Sequence, residues 1–159
     1  MTMKKSAVVL AMMLLPVLCA AQAKNSVASF APLFVRIEQV VPLTIAAKNT
    51  ISDGYFLKIE NDTLTCYMPY FGNSRTAMLG REGNGIRADK QKIKIGMKYN
   101  AKKMVYDVWF NFKNEDIGET VACNMKIYDN GLVHIGIESN YRDFISYDGQ
   151  RVEKLQEKK

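Results

Sequence analysis

The chain has 159 residues, 48% of them hydrophobic and 24% charged, and a formal net charge of +6. This length suits one domain built around a single core. The basic residues are scattered, apart from the lysines at 90–98 and at the C-terminus, so we interpret them as a solvated strand face and a frayed end rather than a surface for nucleic acid or an anionic membrane.

The first 23 residues have the features of a cleavable secretory signal peptide. Lys4 and Lys5 precede an uncharged apolar run over residues 6–18, and AQA at 21–23 supplies the small residues that signal peptidase requires. We therefore expect cleavage after Ala23 and a mature protein in the periplasm or cell envelope, where nucleic acid is not an expected partner.

Two membrane-bound alternatives are less favoured. The apolar run is shorter than the roughly 18–20 residues that span a bilayer, so we expect no transmembrane span in the mature form. Cys19 could carry a lipid anchor, but Leu18 stands directly before it, where lipoprotein signals have a small residue.

Cleavage leaves two cysteines, Cys66 and Cys123. In an oxidising compartment an even pair can form a disulfide, and closing this loop would destabilise the unfolded chain by about 4 kcal/mol. Both cysteines fall on the apolar faces of their predicted strands, where they could also be buried free thiols. The sequence leaves both alternatives open.

The mature chain is divided into a flexible lead-in (24–32), a single β domain (33–152) and a basic tail (153–159). Within the domain, alternation of apolar and polar residues predicts half-buried strands. The predicted strand segments are LFVRIEQV, YFLKIEN, TLTCYMPY, KIKIGMKY, MVYDVWFNF, TVACNMKIYD, LVHIGIES and FISYDGQRVEKL.

Short turns connect several of these segments. Asn61-Asp62 predicts a tight turn, Asp129-Asn130-Gly131 a hairpin of type I′, and Asp148-Gly149 a further turn. We therefore predict an all-β, mainly antiparallel meander of about eight strands, forming a barrel or sandwich with little or no helix after the signal peptide. Residues 44–50 could form one helical turn, so an antiparallel sheet with one helix is the competing architecture.

Alternation also assigns individual side chains to a face. In KIKIGMKY it places Ile93, Ile95, Met97 and Tyr99 on the apolar face. In MVYDVWFNF it places Tyr106, Val108, Phe110 and Phe112 on one face, and Trp109 on the other.

Few residues suggest catalysis, a metal or a cofactor. His134 is the only histidine and lies on the polar face of its strand, and no zinc-ligand spacing, CxxC motif, phosphate loop or dinucleotide fingerprint occurs. Glu115 and Asp116 are the remaining carboxylate pair, but turns are rich in such residues. We therefore expect no cofactor and no metal, and a non-enzymatic protein more than a carboxylate-dependent hydrolase.

The least ordinary segment is CYMPYFGNSRTAMLGREGNGIRA, residues 66–88. Tyr67, Tyr70 and Phe71 could stack on a ligand, and Arg75 could bind an anion, if this segment forms a lip over a pocket. The alternative is an aromatic corner that plugs one end of the barrel. Pro69 marks a strand end in either case.

The chain resembles the domain-of-unknown-function family 4251, whose members are small exported proteins, mainly of Bacteroidota. The resemblance covers roughly residues 33–152 and includes three motifs. The matching residues are Tyr67, Pro69, Tyr70, Phe71 and Gly72, then Asn130 and Gly131, then Ile145, Ser146, Tyr147 and Gly149. Met68 and Asn73 depart from the leucine and arginine usual there. The resemblance implies export and a β fold but no activity.

The leading functional hypothesis is a domain that binds a small molecule, a glycan or a lipid through the aromatic and glycine-rich segment. The second is a structural component of an envelope protein complex, which would use an exposed face or sheet edge around Trp109.

Overall fold

The computed structural model describes residues 31–73 and 85–155. The predicted signal peptide with its expected cleavage site after Ala23, Cys19, most of the predicted lead-in and the end of the tail lie outside these ranges. The strands are β1 (Leu33–Pro42), β2 (Lys48–Asn49), β3 (Phe56–Glu60), β4 (Thr63–Met68), β5 (Ile86–Lys92), β6 (Gly96–Asn100), β7 (Val105–Lys113), β8 (Thr120–Tyr128), β9 (Leu132–Ser139) and β10 (Ile145–Val152).

The described residues contain strands and turns but no helix, which confirms the all-β prediction. In particular, no helix there is long and apolar enough to cross a bilayer. The helical turn considered for residues 44–50 is wrong, because Lys48 and Asn49 instead pair with Val40 and Gln39 as the short strand β2.

All ten strands belong to one antiparallel sheet, in the order β5-β4-β3-β1-β10-β9-β8-β7-β6, with β2 beside β1. Two meanders, β3–β5 and β6–β10, are joined because β1 pairs with both β3 and β10. The single sheet excludes the sandwich alternative. It curls into a half-barrel, and its concave face carries the hydrophobic core.

Side-chain amides connect β5 to the end of β7. The Gln91 amide donates to the carbonyl oxygen of Lys113 at 2.7 Å and accepts from its N–H at 3.1 Å. The Asn114 side chain accepts from the N–H of Arg87 at 3.0 Å and donates to the carbonyl oxygen of Gly85 at 3.1 Å. We call this junction the β5–β7 seam. Two side chains here provide the pairing that a strand ladder provides elsewhere.

The predicted strand KIKIGMKY is interrupted. β5 ends at Lys92 and β6 begins at Gly96, because the chain crosses here from one edge of the sheet to the other. Ile93 is buried, but Met97, Tyr99 and Tyr106 are exposed, so the apolar pattern continues past the residues that the core buries. The Tyr99 and Tyr106 rings instead stack on each other, with centroids 4.5 Å apart.

The predicted hairpins form, with one difference in turn type. Asn61 and Asp62 both have positive φ, 49° and 56°, as a type I′ turn requires. In the second hairpin only Gly131 is left-handed, with φ 87°, and its N–H donates to the carbonyl oxygen of Tyr128 at 2.9 Å. That hairpin uses a turn followed by a left-handed glycine rather than the predicted type I′ turn.

The predicted turn at Asp148-Gly149 is wrong, because both residues lie inside β10. The register between β1 and β10 shifts between Ile37 and Gln39, which is a β-bulge. A Cβ on Gly149 would lie 2.4 Å from the carbonyl oxygen of Arg36. The glycine therefore permits the close approach of the two strands at the bulge.

Candidate ligand-binding groove

Tyr70 belongs to the packing at one end of the half-barrel. Its side chain is buried, and its hydroxyl lies 2.9 Å and 3.0 Å from the carbonyl oxygens of Asn73 and Asp143, to which it donates. The guanidinium carbon of Arg142 lies 4.7 Å from the ring centroid. These contacts join the segment after β4 to the loop before β10, which favours the aromatic corner over a mobile lip.

Tyr147 strengthens the same end of the half-barrel. It is fully buried, and its hydroxyl donates to the carbonyl oxygen of Pro69 at 2.7 Å. Burial raises the pKa of this hydroxyl well above its ordinary value, so it keeps its proton and remains a donor. The first and third family motifs therefore contact each other inside the protein.

A buried ion pair completes this region. The Arg142 Nε lies 3.0 Å from Glu119 Oε1, while Asn114 and Ser139 donate to the two oxygens of the same carboxylate at 3.1 Å and 2.6 Å. Glu119, Arg142 and Asn114 are all buried. Since each group has polar neighbours, this cluster is best understood as structural.

The other residues of the predicted lip do not lie together with Tyr70. Phe71 is half-buried, with Lys48 Nζ 4.1 Å from its ring centroid. Tyr67 is exposed on the convex face, where its ring lies 5.3 Å from that of Tyr55 and borders a shallow groove of about 390 Å³ over β3, β4 and β5. Arg75 lies outside the described residues.

Trp109 marks a different groove, on the convex face of β7, β8 and β9. We call it the Trp109 groove; its volume is about 300 Å³. The residues that define it are Trp109, Asn124, Lys126, Gly136, Glu138 and Phe144. Trp109 is 48% exposed and Phe144 is 38% exposed, so both rings present surface to solvent.

Strand register explains how the two rings are positioned. Gly96, Trp109, Asn124 and Gly136 are consecutive cross-strand partners on β6, β7, β8 and β9. A Cβ on Gly96 would lie 2.2 Å from the Trp109 indole, and one on Gly136 would lie 3.2 Å from the Phe144 ring. Each ring therefore occupies the space that a glycine leaves open, with Asn124 between them.

Polar side chains line the floor and the rim of the groove. Asn124, Lys126 and Glu138 are exposed, and within the described residues none of the three has a side-chain hydrogen bond or ion pair. Beside them His134 Nδ1 lies 2.7 Å from Asp148 Oδ1, and Asp107 borders the groove. The groove thus combines two aromatic edges with a polar floor available to a ligand.

The carboxylates considered for catalysis lie elsewhere, at the β5–β7 seam. Glu115 accepts from the N–H of Asp89 at 2.7 Å and from the Gln91 amide at 3.1 Å. These hydrogen bonds lower the pKa of Glu115, whereas a general acid needs a raised pKa. Their position supports a structural role for Glu115 in the seam.

Cys66 and Cys123 are buried free thiols in the structure, which favours the second of the two alternatives left by the sequence. Burial raises the pKa of Cys66 to about 12 and raises that of Cys123 as well, to which the nearby Cys66 contributes. Both are therefore protonated and poorly nucleophilic at neutral pH.

Sequence reasoning identified Trp109 but missed Phe144, Asn124 and Gly136. Asn124 and Gly136 had a usable signal, because the hairpin at residues 129–131 sets the register that pairs them. Phe144 had none, since it precedes β10 in an irregular segment and its position over Gly136 depends on tertiary structure.

These features define an all-β domain with one curled antiparallel sheet and a groove on its convex face. The chain belongs to the domain-of-unknown-function family DUF4251, whose family model matches residues 22–151. A solved structure of a DUF4251 family protein from Bacteroides eggerthii has a similar fold, with a TM-score of 0.54 and 13% sequence identity over 76% of this chain and 78% of that one. A comparison with curated proteins gave no match.

Proposed function

We propose that this chain is an exported, non-enzymatic domain that binds a small ligand in the Trp109 groove. The observation that carries the proposal is the pair of exposed rings, Trp109 and Phe144, on either side of the unpaired Asn124 amide. A few polar groups among exposed aromatic surface are typical of ligand sites. The proposed export is supported by the basic, apolar and small-residue pattern of the first 23 residues.

The choice of groove follows from where the aromatic residues lie. Tyr70 is buried among structural contacts, so it has no surface to offer a ligand. Trp109 exposes about half of its surface, although tryptophan is a large apolar side chain that favours burial. Gly96 lets the indole lie close to the sheet, and the exposed half of its surface is available to a ligand.

Intrinsic fluorescence tests the proposal directly. Trp109 is the only tryptophan in the chain, so selective excitation of indole reports on this groove and on no other site. We expect at least one ligand class from a panel of soluble glycans, bile-acid-like amphiphiles and lipids to change the Trp109 emission saturably and to raise the melting temperature.

Two variants distinguish the grooves. Asn124→Ala removes an exposed amide from the Trp109 groove and should weaken binding, whereas Tyr67→Ala alters the groove over β3–β5 and should leave it unchanged. The proposal is wrong if no class binds, or if binding responds to Tyr67→Ala and not to Asn124→Ala.

The second candidate, a component of an envelope complex, is favoured by one observation. Within the described residues β6 pairs only with β7, and Met97 and Tyr99 on it are exposed. An open strand edge beside apolar side chains can accept a strand from another protein. In a pull-down from envelope extract, the wild-type protein should then retain one defined partner that the Met97→Lys variant does not retain. Equal retention by the wild type and the variant would count against this candidate.

A further inference from the structure

We infer that the ligand of the Trp109 groove is a neutral carbohydrate, bound with sugar rings packed on Trp109 and Phe144 and its hydroxyl groups over Asn124 and Glu138. This inference rests on the proposed function and names the ligand class for the same groove. The arguments come from the shape of the groove, the chemistry of its floor and its charge.

The aromatic edges suit a ring with apolar faces. A sugar ring presents C–H groups on its faces, and these pack against the electron-rich face of an aromatic side chain. The indole lies over Gly96 on β6 and the Phe144 ring over Gly136 on β9, about three strand spacings of 4.8 Å apart. A ligand that contacts both rings therefore also crosses Asn124 on the floor. The volume of about 300 Å³ lies at the lower end of the roughly 300–1,000 Å³ typical of ligand sites, which suits one or two ring-sized units.

The polar floor matches hydroxyl groups. The Asn124 amide offers both donors and an acceptor, and the Glu138 carboxylate offers two acceptor oxygens. Neighbouring hydroxyls on a sugar can donate and accept at once, so they can satisfy such planar groups in pairs. Lys126 adds donors on the same side of the sheet.

The charge of the groove and the separation of its two aromatic rings disfavour the other ligand classes. Asp107 and Glu138 border the groove against the single lysine, Lys126, and Asp148 lies next to it on His134. With Lys98 opposite Asp107 on β6, the groove still has no net positive charge that would hold a phosphate or another anion. A lipid chain or a bile acid would need a continuous apolar surface, whereas here the two rings are separated by polar side chains.

The test is a fluorescence titration of the full mature protein with cellohexaose, xylohexaose, mannohexaose and chitohexaose, alongside sodium cholate, palmitate and inorganic phosphate. We expect saturable binding of at least one hexasaccharide and no saturable response to the other three probes. Asn124→Ala and Glu138→Gln should each weaken that binding at least tenfold. Trp109→Phe, measured by titration calorimetry because it removes the indole signal, should retain part of it.

The controls keep the outcomes distinct. Asn124 and Glu138 are exposed, so melting curves should show that both variants remain folded. Tyr67→Ala, which alters the separate groove over β3–β5, should bind normally. If no hexasaccharide binds, but cholate, palmitate or phosphate binds in a way that depends on Asn124, the carbohydrate inference is overturned and the proposed function is preserved. Failure of every probe overturns both.

Discussion

At the scale of the single residue, Tyr147 is a motif residue whose side chain stabilises the fold. Its hydroxyl donates to the carbonyl oxygen of Pro69, 78 positions earlier in the chain. Gly149, two residues after Tyr147, allows β10 to approach the bulge in β1. The sequence motif singled out both residues without indicating what they contact. Their roles follow from the half-barrel rather than from a ligand.

Replacing Tyr147 by phenylalanine should destabilise the protein by about 1–3 kcal/mol, because it leaves the Pro69 carbonyl oxygen buried without a donor. Urea unfolding measures this difference in the free energy of unfolding. Tyr128→Phe is the matched control, since Tyr128 is exposed, and it should change stability by less than about 0.5 kcal/mol. Equal effects of the two substitutions would contradict the proposed importance of the buried hydroxyl.

At the scale of the element, the strands were more predictable than their ends. β3, β4 and β8 follow plain alternation, and β1 does so up to the bulge after Ile37, because one face packs on the core and the other faces solvent. β5 was missed since Lys90 adopts a positive φ of 50°, which breaks the alternation. The break before β6 could not be seen in the sequence, because Met97 and Tyr99 continue the alternation of apolar residues although they are exposed to solvent.

The β5–β7 seam should depend on the Gln91 side chain. Gln91→Ala removes both hydrogen bonds to the Lys113 backbone, each of them worth about 1 kcal/mol. We expect hydrogen exchange of the Lys113 amide to accelerate about five- to tenfold or more, while the amides shared by β8 and β9 keep their rates.

Lys98→Ala serves as the control for that experiment, because Lys98 is an exposed residue of β6 away from the seam. It should leave the exchange of Lys113 unchanged. An unchanged Lys113 rate in Gln91→Ala would mean that the seam is held by the Asn114 and Glu115 contacts alone.

At the scale of the whole molecule, the concave face of the sheet encloses a continuous core. The core includes Cys66 from β4 and Cys123 from β8, which lie in different halves of the sheet and are both about 1% exposed. The sequence pattern predicted the face of the strand on which each cysteine lies, but not that the two cysteines share one core. The curl of the sheet decides that both belong to one interior.

The thiols therefore provide a test of the closed interior. Native protein should not react with Ellman's reagent near pH 8, because both thiols are buried and the pKa of Cys66 is raised to about 12, so thiolate is scarce. The reaction should become measurable only as the protein unfolds, when the unreduced mature form without Cys19 should yield two thiols. No thiols in the unfolded, unreduced protein would instead demonstrate the disulfide, and rapid reaction of the native form would show an open interior.

The sequence by itself determined the all-β class, most strand faces, the two hairpins and the exposed position of Trp109. It could do so because these features depend on neighbours one or two residues away, or on a turn of fixed length. Tertiary structure decided the rest: the burial of Tyr70, the exposure of Met97 and Tyr99, the β5–β7 seam and the pairing of Trp109 with Phe144 across the groove. Each of these joins residues that are far apart in the chain, and only the curl and register of the sheet bring such residues together.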